Sequence, residues 1–158
     1  MRAIRWLALL ALLLFAAMAA LTSPLQPSVP ELQLTFTAAG FQEVIKHWSS
    51  DDMARFKNHF LIDYPFLICY GWLGYLLVTR SAVFAGLSAK TQRNLAWVLP
   101  VAALADALEN LLHIVFISRT EAFPAFLYFL AGLTASSKWL LIIGFVFALI
   151  FAYRQRSG

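Results

Sequence analysis

Apolar residues gather into four long runs with short polar flanks. The first covers residues 6–21, after Arg2 and Arg5. A crossing helix needs about 20 apolar residues, and Arg5 can snorkel, so the usable stretch extends over 3–21. The alanines at 16, 17, 19 and 20 leave a second reading open, a cleaved signal peptide. The second run covers 60–79 and the third 95–117. The last, 125–153, is longer than one crossing requires. It is either one tilted helix or an interfacial piece followed by a span over 134–153. The pattern predicts an all-α fold, a membrane bundle of four transmembrane helices in a single membrane domain over residues 1–158. With the first run cleaved, three spans remain.

Residues 22–58 form the one long polar stretch. Pro24, Pro27 and Pro30 predict an extended linker. Residues 32–37 (LQLTFT) alternate apolar and polar, which predicts a short extended piece. Phe41, Val44, Ile45 and Trp48 then follow helical spacing, an amphipathic helix with Thr37 as N-cap. It is expected to lie on the membrane surface or to cap the bundle, anchored by His47 and Trp48. Ser49, Ser50, Asp51 and Asp52 break it and cap the next helix, which runs from about Met53 into the second span. Pro65 is expected to kink that helix or loosen one turn. Residues 80–94 read as a short basic loop and 118–124 as a turn.

Composition narrows the function classes. The chain is 61% apolar and 13% charged, against roughly 25% charged in a soluble domain. That excludes disorder, collagen and an ordinary cytosolic enzyme domain. One cysteine excludes a disulfide framework and a cysteine-based zinc or iron–sulfur site. Cys69 reads as a buried small hydrophobe. The net charge of +4 is spread over the flanks of the spans and gives no basic patch for nucleic acid. Arg2, Arg5, Arg80, Lys90, Arg93, Arg154 and Arg156 fall on one side of the membrane. Lys46, Arg55, Lys57 and Arg119 fall on the other. The positive-inside bias makes the first side cytoplasmic, so both termini are expected in the cytoplasm and residues 22–58 outside it. The expected location is a bacterial inner membrane, with the lipid bilayer as partner.

The third span carries the candidate chemistry. With Asp106 at zero, Glu109 lies at about −60°, Asn110 at about +40° and His113 at about −20°. All four share one face. Trp97, Leu104, Leu108, Leu111 and Val115 occupy the other, so one face meets lipid and one meets neighbouring helices. An ionised carboxylate near the midplane costs at least ~2.5–3.5 kcal/mol, and two of them a turn apart repel. At least one carboxyl must hold a proton, or a cation must sit nearby.

The second span offers a matching face with Asp63, His59, Tyr70 and Gly74. Asp63 and His113 each lie a few residues inside their spans, which predicts an Asp63–His113 hydrogen bond with Glu109 one turn deeper. Lys138 has two readings. It snorkels beside an interfacial Trp139, or it pairs with Asp63 or Glu109. A seam of Gly132, Ser136, Gly144 and Ala148 is expected to be the packing face of that helix, with Lys138 away from it. His59 reads as an interfacial residue.

Asp63, Tyr70, Asp106, Glu109, Asn110, His113 and Lys138 are therefore the candidate ligand-binding or proton-handling residues. The ligand class is a small polar molecule or a cation. Two alternatives stay open. The cluster is a polar seam that only locks helix packing in a structural or assembly subunit. Or Glu109 and His113, with Asp63 or Asp106, clasp a divalent ion in a membrane metalloenzyme. No cofactor motif is present, and no Ser/His/Asp order with a strained elbow supports nucleophilic catalysis.

The residues Phe60-Leu61-Ile62-Asp63-Tyr64-Pro65-Phe66, Tyr70-Gly71 and Ala105-Asp106-Ala107-Leu108-Glu109-Asn110 resemble those of a group of uncharacterised bacterial four-helix integral membrane proteins. That group shows an Asp-aromatic start to the second helix and a D-x-x-E-N stripe in the third. The resemblance implies a topology and the correspondence of Asp63, Asp106, Glu109 and Asn110 to the group's polar positions. It implies no activity. Pro65 and Lys138 are departures from the pattern.

Overall fold

The structure is a computed structural model that describes residues 2–119 and 123–157. Its helices are α1 (Arg2–Thr22), α2 (Val29–Gln33), α3 (Ala38–Ile45), α4 (Ser50–Arg80), α5 (Ala89–Ala96), α6 (Val98–Ser118) and α7 (Ala125–Ser157). Four helical stretches are long and apolar enough to cross a membrane: α1, α4, α5 with α6, and α7. No strand occurs among the described residues. In space α1 rests on α4, α4 on α6 and α6 on α7. At 1.5 Å per residue, the 31 residues of α4 and the 33 of α7 reach about 46 and 50 Å. Both exceed the ~30 Å thickness of a hydrocarbon layer.

Local chemistry explains the boundaries. The Asp52 carboxylate accepts hydrogen bonds from the N–H and hydroxyl of Ser49 (3.1 and 2.8 Å), while the Asp52 N–H donates to Ser49 Oγ. That reciprocal cap starts α4. The helix continues through Pro65 without a break. The orphaned carbonyl four residues back belongs to exposed Leu61, so the missing bond falls on the outer face. Pro100 acts differently. It cannot donate to the Ala96 carbonyl, and α5 ends at Ala96 with Trp97 between it and α6.

Two expectations need correction, and one open alternative is decided. Residues 80–94 are largely ordered, with a 3-10 turn over Ala82–Phe84 and then α5, capped by Ser88 accepting from Thr91 N–H. The alternating 32–37 stretch does not begin as an extended piece. Leu32 and Gln33 end α2, where the Glu31 carboxylate accepts from the N–H and hydroxyl of Ser28. Those bonds hold the exposed Glu31 carboxyl below its usual pKa. The long last run is one continuous helix from Ala125. The turn expected over 118–124 lies partly outside the described residues.

Residues 22–58 fold over one end of the bundle. Thr37 caps α3 by accepting from Gly40 N–H at 3.0 Å. Phe41, Val44 and Trp48 are buried, whereas Gln42, Glu43, Lys46 and His47 are exposed. The Phe41 ring lies edge-on to Phe116 of α6 at 5.3 Å and tilted against Tyr128 of α7 at 5.8 Å. Trp48 Nε1 donates to the Pro27 carbonyl at 2.8 Å, closing the linker onto the start of α4. A second apolar cluster, with Val78, Phe84, Ala96 and Phe145, fills the other end.

Glycine sets the α4–α6 separation. A Cβ on Gly74 would stand 2.5 Å from Leu99 Cβ, and one on Gly71 would stand 3.1 Å from Ala103 Cβ. Gly74→Ala should therefore cost about 1–3 kcal/mol by overpacking. Gly144→Ala, which meets nothing within 4 Å, should be neutral or mildly stabilising. Unfolding of the detergent-solubilised protein checks both; equal effects would mean the two helices are not in close contact at Gly74.

Candidate functional site

Helical geometry puts Asp106, Glu109, Asn110 and His113 on one face of α6, at positions i, i+3, i+4 and i+7. All four are buried, while Leu104 and Leu111 on the opposite face are exposed. The neighbours supply the matching polar groups. From α4 come His59, Asp63 and Tyr70; from α7 comes Lys138. Every sequence-nominated site residue thus lies in the bundle interior.

Lys138 joins the groups. Its Nζ donates to Asp106 Oδ1 at 2.8 Å and is 2.8 Å from Glu109 Oε2. That contact is an ion pair, and among the described residues neither Glu109 oxygen takes a further hydrogen-bond partner. Tyr70 OH donates to Asp106 Oδ2 at 3.2 Å. Asn110 Nδ2 donates to Asp63 Oδ2 at 2.5 Å, and Asn110 Oδ1 is buried with no partner among the described residues. Lys138 is 3% exposed and Glu109 0%, so solvent screens neither.

The geometry corrects several expectations. Asp63 bonds Asn110, not His113. The α4–α6 pair runs antiparallel, with Gly71 facing Ala103 and Gly74 facing Leu99. This register puts Asp63 beside Asn110, and only the longer Tyr70 reaches Asp106. His113 instead sits among rings, 5.6 Å from Phe41 and 6.3 Å from Phe116, with Nδ1 4.0 Å from Glu109 Oε1. Lys138 does not snorkel; it pairs with Asp106 and Glu109. The expected small-residue seam packs at one end only: Gly132 is buried against Thr35 and Phe36, whereas Gly144 is open. The buried face of α7 is Tyr128, Ala131, Ala135, Lys138, Phe145 and Ala152. Its three-four spacing is that of an interhelical seam, and Lys138 occupies one of its positions.

No protein-family model, curated protein or solved structure matches the chain. The site must be read from its own chemistry. Among the described residues, no group of three or more His, Cys, Asp or Glu side chains is placed to hold a metal ion. The Glu109–His113 clasp does not close, and Asp106 is engaged by Lys138.

His59 was expected at the interface. It is 2% exposed, stacked on Phe56 at 4.8 Å, with Nδ1 against the Phe56 carbonyl. Its place on the Asp63 face was the signal for burial. A cavity of about 320 Å³ reaches the cluster at Asp63, Asp106, Lys138 and His59. Gln33 of α2 lines it and accepts a 3.4 Å hydrogen bond from Trp139 Nε1. Sequence periodicity carried no sign of Gln33, because α2 is only five residues long.

Lys138→Met should destabilise the bundle by about 3–5 kcal/mol, because it leaves two buried carboxyls unpaired. Adding Asp106→Asn and Glu109→Gln to that variant should restore most of the loss. Equilibrium unfolding in mild detergent measures both, and a triple variant no more stable than the single one would show that the ion pair is not what Lys138 contributes.

Proposed function

We propose that this chain is a multi-pass protein of a bacterial inner membrane whose interior cluster binds a small polar or cationic ligand, with protons balancing the charge. The supporting observation is the charge count around a cavity. One ammonium, Lys138, serves three buried carboxyls, Asp63, Asp106 and Glu109. Its charge is committed to the last two. Asp63 keeps a neutral donor, Asn110, on one oxygen and lines the cavity with His59. Charges in hydrocarbon need partners, so the remaining negative charge calls for protons or a cation.

In this reading Asp63 is the ligand contact. Tyr70 and Lys138 hold Asp106 in place, and Glu109 and His113, which do not line the cavity, form the reserve for a proton. The seven-to-four split of basic flanks supports both termini in the cytoplasm and the 22–58 segment outside. The cavity, lined partly by that segment's Val29, Pro30 and Gln33, then belongs to the outer side.

A second reading has its own support. The Asn110–Asp63 and Tyr70–Asp106 hydrogen bonds each tie α6 to α4, as a packing seam in a structural subunit would. Ethylammonium titrated into the protein in lipid nanodiscs separates the two. Binding should saturate, change the carboxyl C=O infrared band, and weaken about tenfold or more in Asp63→Asn, the loss of one charge-assisted contact. No saturable binding, with Asp106→Asn/Glu109→Gln clearly less stable than the parent, would favour the seam.

A further inference from the structure

We infer that the ligand is a cationic amphiphile with a single apolar chain, taken from the bilayer through the gap between α1 and α7. This rests on the binding reading above and names the ligand class for the same site. The cavity is not a polar pocket. Phe15 and Met18 of α1, Val29 of α2, Phe66 of α4 and Ile142 of α7 are among its apolar wall residues. Its charged and imidazole groups, Asp63, Asp106, Lys138 and His59, collect where the helices α4, α6 and α7 meet, while Thr22 and Gln33 line it from α1 and α2. A site with an apolar wall and convergent polar groups fits a molecule divided the same way.

The architecture sets the route. α1 packs on α4, α7 packs on α6, and α1 and α7 make at most marginal contact with each other. The cavity lies between these two helices, while α2 lines it with Val29 and Pro30. In a bilayer the space between α1 and α7 faces acyl chains. An apolar chain can enter there without crossing water.

The head is set by which polar atoms remain free. Among the described residues, no protein group hydrogen-bonds Asp63 Oδ1 or His59 Nε2, although both residues are more than nine-tenths buried and line the cavity. The Lys138 ammonium is held by Asp106 and Glu109, so it is not available to an anionic head. A protonated amine donates to Asp63 and offsets its charge; a phosphate or carboxylate head would meet unpaired carboxyl oxygens. At ~30 Å³ per water-sized group, 320 Å³ holds roughly ten such groups, the size of a decyl chain.

The test uses the full chain in phosphatidylcholine nanodiscs with decylamine carrying a diazirine at the far end of its chain. Photolabel should concentrate on the peptides bearing Phe15, Met18 and Ile142, about tenfold or more above the lipid-facing α6 peptide with Leu104 and Leu111. Excess unlabelled decylamine should suppress it. Asp63→Asn should reduce it about tenfold. Met18→Trp, which narrows the cavity from α1 without touching the polar cluster, should do the same if Asp63→Asn fails to fold. The matched decyl phosphate probe should show no such concentration. Localised, suppressible labelling supports the inference whether or not ethylammonium binds. Even labelling, or equal labelling by the phosphate probe, overturns it. Even labelling with saturable ethylammonium binding removes only the chain and leaves the cluster reading standing; even labelling without that binding removes both.

Discussion

Lys138 brings one positive charge into an interior that holds three carboxyl groups. In that medium a charge without a counter-charge is costly, so the position of this ammonium constrains everything around it. It holds α7 to α6 through Asp106 and Glu109. Asp106 in turn accepts from Tyr70, which carries the same network to α4. Three of the four long helical stretches are therefore linked through a single side chain. α1 is not in this network; it meets α4 through apolar contacts such as Phe15 on Phe66 at 5.9 Å.

The polar network works only because the backbones come close. Gly71 and Gly74 let α6 approach α4 until Ala103 and Leu99 fill the space of their missing side chains. At that separation short groups such as Asp63 and Asn110 meet directly. The same approach sets which pairs form, because a side chain of two or three bonds cannot choose among partners a full turn apart. Gly132 does a comparable job on α7, where a Cβ would stand 2.6 Å from the Thr35 carbonyl. The loop before α3 thus lies directly on α7.

Much of the site was legible from periodicity. The stripe Asp106, Glu109, Asn110 and His113 needs only 100° per residue to be seen, and the exposed Leu104 and Leu111 complete the same pattern. Asp63 and Tyr70 follow from the same arithmetic on α4. Lys138 was harder. Counting small residues pointed to a seam through Gly144, whereas the buried face follows the three-four spacing of Tyr128, Ala131, Ala135 and Lys138. Small residues permit close packing but do not require it; a charge in hydrocarbon does require a partner. The Asp63–His113 pairing failed for a related reason. Depth measured from the start of an apolar run ignores that α4 begins ten residues earlier, at Ser50, and that register comes from the glycine contacts.

The sequence by itself determined the four apolar helical stretches, the caps at Thr37 and Ser49, and the polar face of α6. These depend on spacing and on neighbours a few residues away, and helical geometry converts such spacing directly into a face. Only the tertiary structure decided that Lys138 lies between Asp106 and Glu109, that Asp63 takes Asn110, and that α1 and α7 leave a cavity beside the cluster. Those outcomes depend on the distance and register between helices far apart in the chain. Both are set by the joint packing of side chains from several helices, so no single helix's periodicity contains them.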